Sequence, residues 1–361
     1  MRVLIDTPVF WPSVGGIEAV TENLARGLID LGHEVTVVTK TESTLLADFP
    51  YPVIRRPSFS QQLDLVKEHD IVFSNGTSAL FFPWAFLLRK PFVWTHATYR
   101  FLLQSGLPPL KRLSESLKLF LRKKIAALVD RNIAISMHMA KAQPLPRQIV
   151  IPNPVDTETF ERARLSGDPL NSCRFSFAYL GRLVTDKGVD SLLRAFADLI
   201  AENRDPKISL ALIGDGPEKE NLINLARNLQ IEKQLYFLGK KTGAELIEAL
   251  KDCAIFVVPS LWEEPFGLVA IELMAAGRPL IVSERGGLLE SAGTACLSFP
   301  NGDAGALVEQ MKKMLADSTL RTRFIQDGYC RAAEFSLPRV AALYESLFLE
   351  CIAARKSGAK P

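Results

Sequence analysis

Short apolar runs alternate with amphipathic stretches along the first part of the chain. The apolar runs predict buried strands at 3–6, 35–39, 71–74, 92–95, 132–136 and 149–151. Helical periodicity between them predicts helices at 18–31, 61–69, 78–88 and 110–129. Strands that alternate with helices in this way favour a parallel sheet with helices on both faces.

The same alternation starts again in the second part of the chain. It predicts strands at 175–180, 209–213, 235–238, 255–258 and 280–282, and helices at 189–203, 217–229, 243–250, 267–276 and 304–315. Two such runs predict an α/β protein of two doubly wound, Rossmann-like domains, 1–153 and 154–337, divided near Pro152-Asn153-Pro154. One more helical pattern, 339–354, has no strand after it, so we expect 338–361 to pack elsewhere, with the first domain as one option.

Composition narrows the class of protein. The chain has 361 residues, of which 48% are hydrophobic, enough for two cores, and its net charge is +3. No apolar run is long enough to predict a transmembrane helix, and the amino terminus predicts a first strand, not a signal peptide. The five scattered cysteines indicate reduced thiols and a cytoplasmic location. The sequence has neither a zinc pattern nor an Asp-x-Asp pair, so no metal or other cofactor is expected.

The stretch 255–290 carries the most site-like chemistry. A buried strand leads into a loop, predicted to be exposed, that holds Glu264 and then Phe266 and Gly267, and an apolar helix follows that is interrupted by Glu272. The N–H groups near Gly267, Leu268 and Val269 are the free donors of the helix's first turn. A phosphate cradle between two carboxylates suits a nucleotide sugar. The alternative, a solvated Glu264 and a Glu272 that caps another group or pairs with a cation, is favoured for either residue alone but not for the combination.

Three glycine-containing turns follow other predicted strands. Arg182 and Lys187 lie in one such loop, five residues apart, and two fixed cations can offset a diphosphate, although solvated surface charge is the alternative. Gly15 and Gly16 precede the first helix, where backbone N–H groups can approach a phosphate, and most such pairs are only turns. Gly214 lies in a third strand-to-helix turn, whose contact with a ligand is open.

Two features of the first half allow other chemistry. His96 ends a predicted strand, where it can donate to a ligand oxygen or act as an acid. Residues 107–131 predict a basic amphipathic helix with an apolar face of Leu110, Leu113, Leu117, Phe120 and Leu121 and with basic residues Lys111, Arg112, Lys118, Arg122, Lys123 and Lys124. This pattern fits an anionic membrane surface or an ordinary surface helix that buries its leucines. Nucleic acid is not an expected partner, because aromatic residues are not interleaved with the charges.

These motifs, in this order, resemble the family 4 retaining glycosyltransferases. The matching segments are GGIEAVTENLARGLIDLGHEVTVVT, PNPVDTETF, YLGRLVTDKGVDSLLRAF, LIGDGP and EPFGLVAIELMAAGRPLIVS with GGLLE, and they cover nearly the whole chain. The Glu-x7-Glu spacing of Glu264 and Glu272 and the Arg182/Lys187 pair are the specific ones. Asn153-Pro154 departs from the family's usual Asn-Gly, which affects only the local turn.

The resemblance implies a GT-B fold with a central cleft, the donor mainly on the second domain, the acceptor on the first, and a last helix that crosses back to the first domain. By resemblance, Glu264 contacts the donor sugar, Glu272 the ribose, and Arg182 and Lys187 the diphosphate. Leu268 and Val269 add backbone N–H bonds, Gly16 approaches from the first domain, and His96 touches the sugar. The implied same-face reaction retains the anomeric configuration without a metal.

We therefore expect a metal-independent, retaining glycosyltransferase that uses a nucleoside diphosphate sugar and a hydroxyl acceptor in cell-envelope glycan or glycolipid synthesis. A lipid-linked acceptor and peripheral attachment to the inner face of a membrane are favoured, and a soluble acceptor is close behind. The alternatives are a nucleotide-sugar epimerase of the same fold and a non-catalytic nucleotide-sugar-binding protein. The donor nucleotide, the sugar, the acceptor, the linkage and the oligomeric state are left open.

Overall fold

The structure is a computed structural model that describes residues 1–13, 15–43, 47–99, 109–203 and 205–358, with side chains for all of these except 109–114. The chain divides into two compact units. The first unit comprises Met1–Pro154 together with Leu337–Pro361, and the second comprises Val155–Ser336. Each unit has its own parallel sheet, so each is described by itself.

The sheet of the first unit has seven strands. They are Arg2–Thr7 (β1), Glu34–Thr39 (β2), Val53–Arg55 (β3), Ile71–Asn75 (β4), Phe92–His96 (β5), Arg131–Ala134 (β6) and Gln148–Val150 (β7). Their order across the sheet is β3-β2-β1-β4-β5-β6-β7, and all pairs are parallel. The helices are Gly16–Asp30 (α1), Phe59–Glu68 (α2), Phe82–Leu87 (α3), Pro109–Leu128 (α4) and Met137–Ala142 (α5).

The sheet of the second unit repeats this order with six strands. They are Phe175–Leu180 (β8), Leu210–Ile213 (β9), Leu235–Gly239 (β10), Cys253–Val258 (β11), Leu280–Ser283 (β12) and Cys296–Phe299 (β13), in the order β10-β9-β8-β11-β12-β13. The helices are Thr157–Glu161 (α6), Val189–Asn203 (α7), Lys219–Asn228 (α8), Gly243–Lys251 (α9), Leu268–Ala275 (α10), Gly287–Ala292 (α11), Ala304–Ala316 (α12) and Ser318–Ala333 (α13). Two short 3₁₀ turns lie at Pro169–Asn171 and Thr185–Lys187.

Both sheets are covered on both faces, as the alternation of strands and helices predicts. Every residue of β4 and of β11 is buried, which is the pattern of a central strand in a parallel sheet. In each sheet the strand order reverses once, between β1 and β4 in the first and between β8 and β11 in the second. Ligands of open α/β sheets bind at the carboxyl ends of the strands at such a reversal, so the fold itself indicates where to look for a site.

The pattern missed the weakest elements. Strand β3 has only three residues, all half-buried, and β13 is an edge strand of four residues, three of them half-buried. Helices α5 and α6 have six and five residues, too short to show a helical period. Helix α13 has sixteen residues, but its face toward the core mixes apolar side chains with buried Arg321, which obscures its amphipathic pattern.

The last helix, Leu337–Lys356 (α14), belongs to the first unit and packs on α1. The two helices cross closely at Gly27, where an added Cβ would lie 2.7 Å from the Cβ of Ala341. At the far end of α14, Arg355 donates to both carboxylate oxygens of buried Asp130, at 2.7 and 2.9 Å. The helix therefore supplies part of the core of the first unit, as the resemblance implied.

Helix α4 is the predicted basic amphipathic helix. Its apolar side chains Leu117, Phe120 and Leu121 are 60%, 55% and 52% exposed, so the alternative in which this part of the leucine face is buried is wrong. Residues 107 and 108 and the side chains of Leu110, Lys111, Arg112 and Leu113 lie outside the described part of the structure. Within the described part of the chain, no helix combines the length and the apolar character needed to cross a bilayer.

Candidate functional site

Lys187 and Glu264 meet at the strand-order reversal of the second sheet. Lys187 lies in the loop after β8 and Glu264 in the loop after β11, which are adjacent strands. Lys187 Nζ is 2.7 Å from Glu264 Oε1. Lys187 ends a 3₁₀ turn that is followed by Gly188 in the left-handed conformation, with φ of 66°. The structure thus brings together two residues that the sequence separates by more than seventy positions.

The two carboxylate oxygens of Glu264 have different surroundings. Oε1 accepts hydrogen bonds from Lys187 Nζ at 2.7 Å and from Ser260 Oγ at 2.5 Å. Oε2 has no partner among the residues that the structure describes. Glu264 is only 9% exposed, so the prediction that its loop leaves it exposed is wrong. A buried carboxylate with one oxygen fixed and one free can accept a hydrogen bond from a ligand hydroxyl at a defined position.

A framework of polar side chains holds Ser260. Its carbonyl oxygen accepts hydrogen bonds from Ser283 Oγ and from Asn301 Nδ2, both at 2.8 Å. Asn301 Oδ1 in turn accepts from the backbone N–H of Arg285 at 3.1 Å. The loops after β11, β12 and β13 are therefore cross-linked behind Glu264. Nothing in the sequence marks Ser260, Ser283 or Asn301 as site residues, because an isolated serine or asparagine at a strand end has no distinctive pattern.

Close backbone contacts at glycines set the shape of these loops. Glu264 N and O lie so near Gly286 that an added Cβ there would be 2.7 and 2.6 Å from them, and Gly287 N donates to Glu264 O at 2.6 Å. At Gly214, with φ of 154°, a Cβ would lie 1.8 Å from the carbonyl oxygen of Gly181. Gly214 is thus required for packing between two loops, an explanation that does not depend on a ligand.

Helix α10 starts beside Glu264 with an uncapped amino terminus. Its N-cap is Gly267, with φ of 146°, no side chain caps it, and its first turn has no acidic residue. The first N–H groups, including those of Leu268 and Val269, are therefore the free donors expected for an anion. Phe266 is 5% exposed and its ring contacts Phe335 at 5.6 Å, so its side chain is part of the core and only its backbone faces the loop.

Glu272 and Arg182 differ in their surroundings. Glu272 is half-buried, no side-chain partner is present among the described residues, and desolvation raises the pKa of its carboxyl group to about 7. The paired alternative, in which Glu272 binds a cation of the chain, is therefore wrong within the described structure. Arg182 is exposed, and its carbonyl accepts from Tyr179 Oη at 2.8 Å, which fixes its backbone while its guanidinium stays in solvent.

The first helix of the first unit starts at the predicted glycine pair. Gly15 is the N-cap of α1, in extended conformation, and Gly16 is its first residue. The carboxylate of Glu18 folds back over this end. It accepts from Ser13 Oγ at 2.6 Å, and an added Cβ on Gly15 would lie 2.8 Å from its Oε2. Glu18 thus places a negative charge near the free N–H groups where an anion was predicted to approach.

His96 ends β5 and is 4% exposed. Both amide hydrogens of Asn132 are donated, to the carbonyls of Ala126 at 2.8 Å and Pro146 at 2.7 Å, so its Oδ1 accepts from His96 Nε2 at 2.8 Å. Burial lowers the pKa of His96 to about 4, against the opposing effect of this hydrogen bond. The ring is uncharged at neutral pH, which favours hydrogen bonding to a ligand over the acid role.

Two sequence models of known families match the chain. One described as Glycosyl transferases group 1 matches residues 168–331, and one described as Glycosyltransferase Family 4 matches residues 14–159. The D-inositol 3-phosphate glycosyltransferase of Corynebacterium efficiens is 28% identical over all of this chain and 89% of its own length. The alpha-monoglucosyldiacylglycerol synthase of Streptococcus pneumoniae is 24% identical over 78% of this chain and 70% of its own length.

Solved structures show the same architecture. Anabaena HepE in complex with UDP superimposes with a TM-score of 0.77 over 97% of this chain and 100% of its own, at 20% identity. This structural similarity establishes the fold. The two family models do not overlap and reach into both units, and together they establish the family. The chain therefore belongs to glycosyltransferase family 4, has the GT-B fold, and transfers a sugar from a nucleotide sugar.

Proposed function

We propose that this glycosyltransferase moves a sugar from a nucleoside diphosphate sugar to a hydroxyl acceptor with retention of the anomeric configuration and without a metal ion. The observation that carries the proposal is the Lys187–Glu264 pair at the strand-order reversal, with Glu264 Oε2 free. It supports a site in which a cation and a hydrogen-bond acceptor face the same ligand, as the diphosphate and the sugar of a donor require.

Each donor-binding residue has a distinct task in this proposal. Lys187 and Arg182 offset the negative charge that develops on the departing diphosphate, and the free N–H groups of Leu268 and Val269 add to that stabilisation. Glu264 Oε2 accepts from a sugar hydroxyl, and Glu272 accepts from the ribose. Because two fixed cations and a helix amino terminus can neutralise a diphosphate, a metal ion is not needed for the departure of the leaving group.

His96, Gly15 and Gly16 belong to the other unit. In the proposal, uncharged His96 forms a hydrogen bond with the donor sugar, and the N–H groups at Gly16 approach the diphosphate, which requires that Glu18 move aside. No carboxylate is assigned as a covalent nucleophile. A phosphate oxygen of the leaving group takes the proton of the acceptor hydroxyl, on the face of the sugar from which the diphosphate departs.

The acceptor is proposed to belong to cell-envelope glycan or glycolipid synthesis. The printed names of two relatives point to an inositol phosphate and to a glycolipid. The exposed apolar side chains of α4, with basic Lys123 and Lys124 beside them, support peripheral docking on an anionic membrane surface. A soluble acceptor is the competing option.

The test is a donor assay on the purified full chain, with UDP-glucose as the first donor because Anabaena HepE is solved with UDP and UDP-glucose. Lys187→Ala is expected to lower kcat/KM for the donor at least 100-fold, because the leaving diphosphate loses a cation. Lys251→Ala, which removes a surface lysine of α9 paired with Glu248, is the matched control. Activity of Lys187→Ala within a factor of three of wild type would contradict the assignment.

The same assay separates the alternatives. An epimerase converts the donor sugar with no acceptor present, whereas a transferase releases the nucleoside diphosphate and a glycoside or, slowly, free sugar. A non-catalytic binding protein does neither. The anomeric configuration of the product by NMR tests retention, and turnover that survives excess EDTA tests metal independence.

A further inference from the structure

Arg331, near the end of α13, binds the carboxyl end of α11. Its Nη2 donates to the carbonyl oxygen of Glu290 at 2.7 Å, and its Nε donates to that of Ser291 at 3.0 Å. Both carbonyls lie in the last turn of α11, where they have no partner within the helix. A cation at the carboxyl end of a helix satisfies such groups and is favoured by the helix dipole. Arg331 therefore fixes this end of α11.

All three nitrogens of the Arg331 guanidinium are engaged. The Nη1 atom pairs with Glu334 one turn away, and the guanidinium carbon lies 4.7 Å from the centre of the Phe335 ring. A planar group that bonds to two carbonyl oxygens and lies over a ring is held in one position, which the ammonium group of a lysine cannot reproduce. The side chain is half-buried and fully paired, so its role is to hold other elements and not to bind a ligand.

Helix α11 in turn contacts the β11–α10 loop at two points. The backbone N–H of Gly287, the first residue of α11, donates to the carbonyl oxygen of Glu264 at 2.6 Å. Further along, Leu288 and Ser291 pack against Gly267, where an added Cβ would lie 3.0 Å from Leu288 Cα and 3.4 Å from Ser291 Cβ. Gly267 directly precedes the free N–H groups of α10. The position of α11 therefore determines where Glu264 and the start of α10 lie.

Phe335 supports the same loop from a second direction. Its ring contacts that of Phe266 edge to face at 5.6 Å, and both side chains are buried. Phe266 lies in the β11–α10 loop, between Glu264 and Gly267. The carbonyl oxygen of Phe335 accepts from the backbone N–H of Val155 at 2.9 Å, which fixes the backbone at this point. The region around the end of α13 thus supports the loop through Phe266 as well as through α11.

We propose that Arg331 is a positioning residue for the sugar donor. It acts through α11 and holds Glu264 and the first N–H groups of α10 in the arrangement that binds the donor. The proposal rests on the proposed function, in which Glu264 binds the sugar and those N–H groups bind the diphosphate. A misplacement of about 1 Å at a reacting site can lower the rate about 100-fold, so a residue that touches no substrate can still control turnover.

The first test follows the contact between α11 and Glu264 by amide hydrogen exchange, which needs no donor. Arg331→Gln is expected to speed the exchange of the Gly287 N–H about tenfold or more relative to that of Val257, in buried β11, which reports on unfolding of the whole unit. Arg323→Gln removes an exposed arginine of the same helix. It should leave both exchange rates within a factor of two of wild type.

The second test measures kcat/KM for UDP-glucose below the thermal transition of each variant. Arg331→Gln is expected to lower it about 10- to 100-fold. Arg331→Lys keeps the charge near the two carbonyls and should lose less. Arg321→Lys is the control for stability, because Arg321 binds both carboxylate oxygens of Asp168 and lies about 15 Å from Arg331 along the helix. It should lower the melting temperature and leave kcat/KM within a factor of three of wild type.

Three outcomes would overturn the proposal. These are equal acceleration of exchange at Gly287 and Val257, a kcat/KM of Arg331→Gln within a factor of three of wild type, and an equal loss of kcat/KM in Arg321→Lys, which would make Arg331 a structural residue only. Failure of the proposed function is a different result. Faster exchange at Gly287 in a protein that consumes no nucleotide sugar would contradict the proposed function and leave the coupling of Arg331 to the loop standing.

Discussion

At the residue scale, the fixed oxygen of Glu264 makes Ser260 a positioning residue. If Lys187 turns from Glu264 to the donor's diphosphate, Ser260 Oγ is the remaining donor to Oε1. Ser260→Ala is expected to lower kcat/KM for the donor about 10- to 100-fold, which corresponds to about 1.4–2.8 kcal/mol for one hydrogen bond to a charged group. Ser260→Thr, which retains the hydroxyl, should recover much of this loss.

The control for this prediction is Ser298→Ala, which removes a serine that donates to Glu284 at 3.1 Å on the exposed surface of the same unit. It should leave kcat/KM for the donor unchanged. If Ser260→Ala retains wild-type kcat/KM, Glu264 is held by the backbone alone and Ser260 has no positioning role.

The raised pKa of the Glu272 carboxyl group predicts how the stability of the protein depends on pH. Its pKa of about 7 in the folded protein lies above the ordinary 4.5, so the folded state keeps a proton that the unfolded state has lost. Its contribution to stability is therefore greatest below pH 4.5 and is lost as pH rises to about 7. Glu272→Gln has no carboxyl group to ionise at this position, so the variant does not lose this stability as pH rises. The unfolding free energy of the variant relative to wild type should rise by about 1–3 kcal/mol between pH 5 and pH 8.

Urea unfolding at pH 5, 6, 7 and 8 measures this difference, with Glu220→Gln on the exposed face of α8 as the control. A difference between Glu272→Gln and wild type that does not change with pH would show that the carboxyl group is already ionised at pH 5.

Individual residues also show which properties of the site the sequence predicts and which it does not. The two acids Glu264 and Glu272 and the two cations Arg182 and Lys187 predict a ligand site on chemical grounds, and only the family resemblance predicts that the ligand is the sugar donor. Their exposure was not predictable. Glu264 is buried because Gly286, Gly287 and the Ser260 framework surround it, and those partners lie in loops whose approach depends on the tertiary fold.

At the element scale, the loops after β8 and β9 pack through glycine. Gly214→Ala combines a φ of 154° with a Cβ 1.8 Å from the Gly181 carbonyl. We expect it to destabilise the second unit by about 3 kcal/mol or more, because neither backbone can yield without moving a strand end. Gly239→Ala has a φ of 71° and no atom within 4 Å, so it isolates the cost of the backbone conformation, about 1–2 kcal/mol.

Thermal unfolding of the two variants measures the contrast. A Gly214→Ala melting temperature equal to that of Gly239→Ala would show that the loops separate without cost and that the contact does not hold them.

The strands and helices also show which elements the hydrophobic periodicity of the sequence predicts. Long buried strands such as β8 and long helices such as α7 were predicted to the residue, whereas β3 and β13 depend on pairing with a neighbour that local sequence does not specify.

At the scale of the whole molecule, α4 is the surface through which the protein is proposed to meet a membrane. Phe120→Ser combined with Leu121→Ser should reduce co-sedimentation with phosphatidylglycerol vesicles at least tenfold. Each side chain gains about 1.5–3 kcal/mol when it is buried in an apolar environment. The control is Leu343→Ser combined with Leu349→Ser, which removes two side chains of α14 that are 46% and 49% exposed.

Equal losses of vesicle binding in the two double variants would mean that binding follows general hydrophobicity and not α4. Vesicle binding by wild type that is the same with phosphatidylcholine as with phosphatidylglycerol would contradict the contribution of Lys123 and Lys124.

The first unit is completed by residues from both ends of the chain, and this has a consequence for biosynthesis. Its core includes Val340, Tyr344, Leu347 and Phe348 of α14. The second unit, Val155–Ser336, contains all of its own strands and helices and emerges from the ribosome ahead of α14. The half of the protein that is translated first is therefore the half that finishes folding last. During translation of the second unit, the side of α1 around Gly27, which packs against Leu337 and Ala341, has no α14 to cover it, so nascent chains are open to chaperones or to aggregation at that surface.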